Sequence, residues 1–283
     1  MTHMDADDEL TLRAAEPAVA SQSSVPLLRQ NGTYAELIGS ATLFAVADQL
    51  FLVTAAHVIR NALGMEAGLG AINAAGRATA VSGEWRCSPL ATQEDIAVYP
   101  LTADQAIFLS DRKAARTLNY RLDAERGAVC FIIFGFPQIG GEGAGVDTKQ
   151  AVLTQLRLRV GRFAGDGAAL ALANFDQKYH FLLNADETQM PAINNYGSLR
   201  SLSGIRVPLV QGLRGVSGGG VWSLGDENLS LGAWRPDQAC IVGVETSVYE
   251  GVKAIRVTRW NRVLELIAGA YPDLRGALRL SGV

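Results

Sequence analysis

Hydrophobic and polar positions change rhythm three times along the chain. Gly39–Val46 (GSATLFAV) and Gln49–Thr54 (QLFLVT) are apolar or β-branched, with only Ala47-Asp48 between them, the pattern of a hairpin. Ala71–Asn73, Ala78–Ser82 and Ile96–Leu101 continue the run of short strands, which predicts a first β unit over residues 25–110. Residues 102–126 are rich in charge and alanine and do not alternate. They read as a connection, centred on 111–126, with a helical turn around Asp111–Leu118. A second β unit is predicted over 127–258. Its strands cover Ala128–Phe134, Thr148–Phe163, Leu170–Asn174, Tyr179–Asn184, Val207–Val210, Gly220–Ser223, Cys240–Thr246 and Val252–Val257. The period then changes. Val263, Leu264, Leu266, Ile267 and Ala270 recur at helical spacing and Pro272 ends the run, so an amphipathic helix from about Thr258 to Ala270 opens the closing segment 259–283. Residues 1–24, acidic and rich in Ala and Ser, are expected to be poorly ordered.

Composition narrows the function. Apolar residues make up 48% and charged residues 19% of the 283, as in compact soluble proteins. The formal net charge of −3 leaves no basic excess to hold a phosphate backbone, so nucleic acid is not an expected partner. Cys87, Cys130 and Cys240 are an odd number and far apart, which gives no zinc spacing, no redox pair and no disulfide framework. The first residues, MTHMDADDELTLRAAE, have neither the basic start nor the apolar core of a secretory signal, and no window approaches a membrane span. A cytoplasmic protein is expected, with no membrane span and no metal or cofactor.

Candidate chemistry sits at three places. Of the three histidines, His3 lies in the N-terminal stretch and His180 in the alternating stretch Lys-Tyr-His-Phe-Leu-Leu, where a structural role is expected. His57 follows an apolar strand and two alanines (LFLVTAAHVI), small residues that let a strand end turn tightly and hold the ring on a rigid scaffold. In Glu94-Asp95-Ile96-Ala97-Val98 a carboxylate stands just ahead of an apolar strand. It is either an ordinary strand-start residue or a buried acceptor for a histidine Nδ1–H. Gly215-Val216-Ser217-Gly218-Gly219-Gly220 surrounds a serine with glycines, which permit unusual backbone angles and a close approach to a carbonyl. Successive amides at such a turn can bind a developing oxyanion.

TAAH at 54–57, DIAV at 95–98 and GVSGGG at 215–220 resemble, in the same chain order, the His, Asp and Ser motifs of chymotrypsin-like (trypsin-like) serine proteases. The resemblance implies an all-β fold of two six-stranded antiparallel Greek-key barrels with a C-terminal α-helix. It implies a serine endopeptidase acting on protein or peptide substrate, with His57, Asp95 and Ser217 as a triad and the Gly215 and Ser217 amides as the oxyanion hole. Ile241–Ser247 resembles the strand lining the specificity pocket, closest in pattern to bacterial high-temperature-requirement proteases, and Gly251-Val252 resembles the second pocket wall. Gln211, Thr246, Ser247 and Gly251 are therefore the expected substrate-binding residues. Two departures stand out. The interval between Asp95 and Ser217 is longer than the family's, with the excess over 164–206, including Asn184–Ser203. Val216 replaces the aspartate that pairs with a freshly cut N-terminus in trypsin-type zymogens. Restraint by a regulatory protein partner is the expectation that follows. A non-catalytic binding module on the same barrels is the alternative.

Overall fold

The computed structural model describes residues 18–31, 34–63, 68–81, 83–128, 130–138, 153–165, 167, 170–189, 207–224 and 238–278. Strands dominate, and they fall into two sheets followed by a helix near the C-terminus, the plan that the motifs implied.

The first sheet holds β1 (Ser24–Asn31), β2 (Tyr34–Val46), β3 (Gln49–Ala55), β4 (Leu69–Ile72), β5 (Ala78–Ala80), β6 (Arg86–Cys87), β7 (Ile96–Pro100) and β8 (Ala115–Arg116). Its order is β5-β4-β1-β2-β3-β7-β6, with β8 beside β2. The two ends of that path, β5 and β6, are consecutive in sequence. Val81 N–H donates to Leu69 O (2.8 Å) and the Trp85 indole to Val81 O (3.1 Å) in the segment that joins them. Six antiparallel strands were expected; among the described residues this sheet has eight, one of which, β8, runs parallel to β2. The strands missed by periodicity are β1, β6 and β8; in β1, Pro26 discourages a strand assignment. The ladder of β1 with β4 covers only Leu27 to Arg29, so Pro26 needs no N–H on that side.

The second sheet holds β9 (Phe131–Gly135), β10 (Leu156–Val160), β11 (His180–Asn184), β12 (Gly220–Ser223), β13 (Cys240–Tyr249) and β14 (Ala254–Arg259), in the order β10-β9-β12-β13-β14-β11. The chain beyond β10 folds onto β11. Phe163 N–H reaches Leu182 O (3.1 Å) and Asn184 N–H reaches Gly161 O (2.9 Å), which closes a six-stranded barrel.

Several expected elements are corrected. Residues 18–24 are ordered: Ala18–Gln22 is a short helix, α1, with Ala20 fully buried, and Ser24 opens β1. Leu170–Asn174 is a turn, with left-handed Ala171 and Asn174, and not a strand. Val207–Val210 is not a strand either, because Pro208 caps the short helix Leu209–Gly212. The helical turn expected at Asp111–Leu118 lies earlier, at Ala103–Phe108, where Thr102 and Gln105 form a capping box. Of the long strand expected at Thr148–Phe163, residues 148–152 lie outside the described residues.

Each unit has its own apolar interior, and a third cluster joins them. There Phe44, Phe51 and Ile96 of the first sheet meet Ile132, Phe134 and Trp222 of the second. The apolar face of the terminal helix Trp260–Ala270 packs on both through Trp260, Val263, Leu264 and Ile267. Phe44 and Trp260 meet edge to face at 5.1 Å. Among the described residues no helix is long and apolar enough to cross a membrane.

Candidate active site

The short helix Ala56–Leu63 follows β3 with no connecting loop, and His57 is its second residue. Ala55 and Ala56 are fully buried, and their small side chains let residue 95 come close. Ala56 N–H donates to Asp95 O (3.0 Å) and His57 N–H to Asp95 Oδ1 (2.8 Å), while His57 Nδ1 lies 2.8 Å from Asp95 Oδ2. Asp95 sits in the left-handed region (φ 57°), which aspartate tolerates better than most residues. Its neighbours hold it there. Glu94 O accepts from Thr258 Oγ1 (2.6 Å), and the Glu94 carboxylate pairs with Arg262 of the terminal helix. Arg256 on β14 donates to Asp95 Oδ2 (3.1 Å), with Thr246 Oγ1 and Asn174 O as its other acceptors.

A carboxylate only accepts, so the proton of a neutral His57 ring belongs on Nδ1 and the lone pair on Nε2. The imidazole is 40% exposed and Asp95 14%, which leaves the ring open to a ligand and the acid shielded. Burial works against the protonated ring. The hydrogen bond and charge of Asp95, with the charge of Glu245, outweigh burial and Arg256, and the His57 pKa is raised above 6.5.

The Ser217 turn lies across the junction of the two units. Gly215 (φ 89°) and Gly218 (φ 94°) supply backbone angles that side chains disfavour. Three carbonyls here are committed: Arg214 O accepts from Gln138 N–H (2.7 Å), Gly215 O from Ser40 Oγ (2.8 Å) and Ser217 O from Ser40 N–H (2.9 Å). Among the described residues the amides of Gly215 and Ser217 donate to nothing, and Ser217 Oγ makes no hydrogen bond to His57 Nε2. Val216 is fully buried and holds no charge beside the serine.

The expected substrate residues scatter. Thr246 is buried, with its hydroxyl taken up by Arg256 and Thr258, so it supports the Asp95 side of the site. Ser247 follows it on β13, partly exposed and paired with Arg256. Gln211 is exposed on the helix Leu209–Gly212, and Gly251 is exposed on the turn before β14 with open space around it. Residues 190–206 of the long excursion lie outside the described residues. Sequence reasoning missed Arg256 and Glu245. Each is a single charge inside an otherwise apolar strand, a signal visible in AIRV and VGVET.

His180 is a different case. Its Nδ1 accepts from Asp176 N–H (3.0 Å), which leaves the Nε2–H to donate to Gln93 O (3.1 Å). Burial, then the charge of Arg256, lowers its pKa to about 4. The unfolded chain then binds one more proton between pH 4 and 6.5, so this ring's stabilising share is present above 6.5 and lost as the pH falls to about 4. Urea unfolding across that window should weaken on acidification. The slope should flatten in His180→Gln, whose amide can make both hydrogen bonds without titrating, and an unchanged slope would contradict this.

No protein-family model matches the chain, and no curated protein does. Among solved structures it is similar to the serine endoprotease from Yersinia pestis, at 14% identity, covering 96% of this chain and 69% of that one, with a TM-score of 0.49. It is also similar to a serine-to-alanine mutant of an M. tuberculosis H37Rv protein in its inactive form: 12% identity, 100% and 98% covered, TM-score 0.45. A thermostable serine protease from an extremophilic microorganism gives 12% identity, 90% and 99% covered, TM-score 0.49.

Proposed function

We propose that the protein is a serine endopeptidase that cleaves peptide bonds through an acyl-enzyme. Ser217 is the nucleophile, His57 the general base and then the acid, and Asp95 the group that orients His57. The observation that carries this reading is the clamp on His57: one carboxylate takes both its main-chain N–H and its Nδ1–H, leaving Nε2 as the only basic position. In the reaction the Ser217 Oγ–H proton passes to Nε2 while Oγ bonds the scissile carbonyl carbon. The carbonyl electron pair moves to oxygen, where the uncommitted Gly215 and Ser217 amides receive it. The imidazolium then protonates the leaving amine, and water repeats the sequence on the acyl-enzyme.

With Val216 in place of the aspartate that latches a new N-terminus, restraint of a protease with few protein targets is assigned to the 164–206 excursion and a partner that binds it. The open Ser217–His57 hydrogen bond favours a second reading, a catalytically silent binding module. Apo sites often close that bond only on substrate, so one experiment decides. A fluorophosphonate probe should label the purified protein and not Ser217→Ala, and peptide-library cleavage should vanish in the same variant. A wild-type protein that neither labels nor cleaves is the binding module.

A further inference from the structure

β13 carries one acidic residue into the interior. Glu245 is 1% exposed, and neither carboxyl oxygen has a full hydrogen bond: the Ser217 hydroxyl is the one side chain that donates toward it, outside good hydrogen-bond geometry. Its main chain is stitched to the glycines that follow the nucleophile. Glu245 O accepts from Gly218 N–H (2.8 Å), and Glu245 N–H donates to Gly219 O (2.9 Å). A buried carboxyl without a full hydrogen bond destabilises the resting fold, and it is relieved when a better donor or a cation arrives.

The groups that act on it come from every side. They are His57 on the helix after β3, the Ser217 hydroxyl on its turn, Arg256 on β14 and Asp95 ahead of β7. Arg256 already serves Asp95, Thr246 and Asn174, and Asp95 repels. His57 and Ser217 remain, and these are the two groups that exchange the proton in the proposed reaction, which leaves His57 charged.

We propose that Glu245 is a positioning residue of the catalytic centre, a second carboxyl that acts through His57 by stabilising the imidazolium formed as Ser217 gives up its proton. The proposal rests on the serine endopeptidase reading. It involves no bond changes beyond those already described: the proton still moves from Oγ to Nε2, and Glu245 contributes charge alone. The two sites are coupled in both directions. Burial raises the Glu245 pKa to about 7 against the opposing pull of His57, Ser217 and Arg256, and the Glu245 charge in turn raises that of His57. Each group holds its charge better when the other is charged, so they titrate as a pair.

The test is the titration of the His57 ring by NMR in the full chain, which needs no turnover. In Glu245→Gln the His57 midpoint should move to lower pH, and kcat should fall with KM nearly unchanged. An unmoved midpoint in a folded variant overturns the proposal, whatever the activity. A wild type that fails to label with fluorophosphonate overturns the protease reading instead. Should Glu245→Gln fail to fold, the wild-type Glu245 carboxyl carbon provides the second measurement. It should titrate near 7 and move upward in His57→Ala, where the favourable cation is gone. Titration in the ordinary carboxylate range, or indifference to His57→Ala, also overturns the proposal.

Discussion

Asp95→Asn should lower turnover by about 10,000-fold, the scale of losing the acid of a Ser-His-Asp triad. Three donors converge on this carboxylate: the His57 main-chain N–H, the His57 Nδ1–H and Arg256 Nη2. An amide has one oxygen to offer. Turned toward Nδ1 and Arg256, it leaves its NH2 group against the main-chain N–H of His57. Turned the other way, it sets NH2 against Arg256 and drives the ring proton onto Nε2, the position that must accept from Ser217. Both orientations also remove the negative charge. Arg256, 5% exposed, then keeps its cation near His57 with no acid on Asp95's side to balance it. The two contributions of Asp95 that raise the His57 pKa disappear, while burial and Arg256 still lower it. The ascending limb of kcat/KM against pH should therefore shift to lower pH, onto a plateau far below that of the wild type. Near-wild-type turnover in a folded Asp95→Asn protein would remove Asp95 from the mechanism.

The residues of this clamp were legible in sequence for a mechanical reason. A tight approach of three chain segments demands small or special residues at each: two alanines before His57, an aspartate able to sit left-handed, and glycines on both sides of Ser217. Short motifs record such local demands. Arg256 and Glu245 were not legible in the same way. Each reads as one charge in an apolar strand, and its meaning depends on which distant segment the strand faces. The packing of the two sheets brings Arg256 of β14 to Asp95, and the β12–β13 ladder carries Glu245 alongside the Ser217 turn. The strand pattern behaved alike. The β2–β3 hairpin and β12 followed from composition, while β1 was obscured by Pro26 and β8 by the charged connection that contains it. The place of Thr246 on a pocket-like strand said nothing of Arg256, which claims its hydroxyl.

Among the described glycines, Gly218→Ala should be the most damaging substitution by alanine, costing about 4 kcal/mol or more of stability and abolishing probe labelling together. The residue has φ 94°, a conformation that alanine adopts only under strain. A Cβ there would stand 1.9 Å from Ser40 O and 2.2 Å from Thr54 Oγ1, inside the hydrogen bond these two atoms make with each other at 2.6 Å. Both obstacles are rigid, since one is main chain and the other a β-branched side chain in the middle of the first sheet. Ser40 is also the point through which the two units hold the serine turn. Its N–H donates to Ser217 O, its hydroxyl donates to Gly215 O, and the same hydroxyl accepts from Phe136 N–H. Displacing Ser40 moves the carbonyls on either side of Val216, and with them the two amides assigned to the oxyanion. Loss of fold and loss of labelling therefore have one cause. Gly269→Ala provides the contrast, because that glycine lies in the terminal helix with nothing near its Cβ and should gain up to about 1 kcal/mol from alanine. Urea unfolding of the two variants beside the wild type measures both effects. If Gly218→Ala unfolds at the wild-type midpoint and still labels, Ser217 is not held against Ser40 in solution, and the candidate site is built differently.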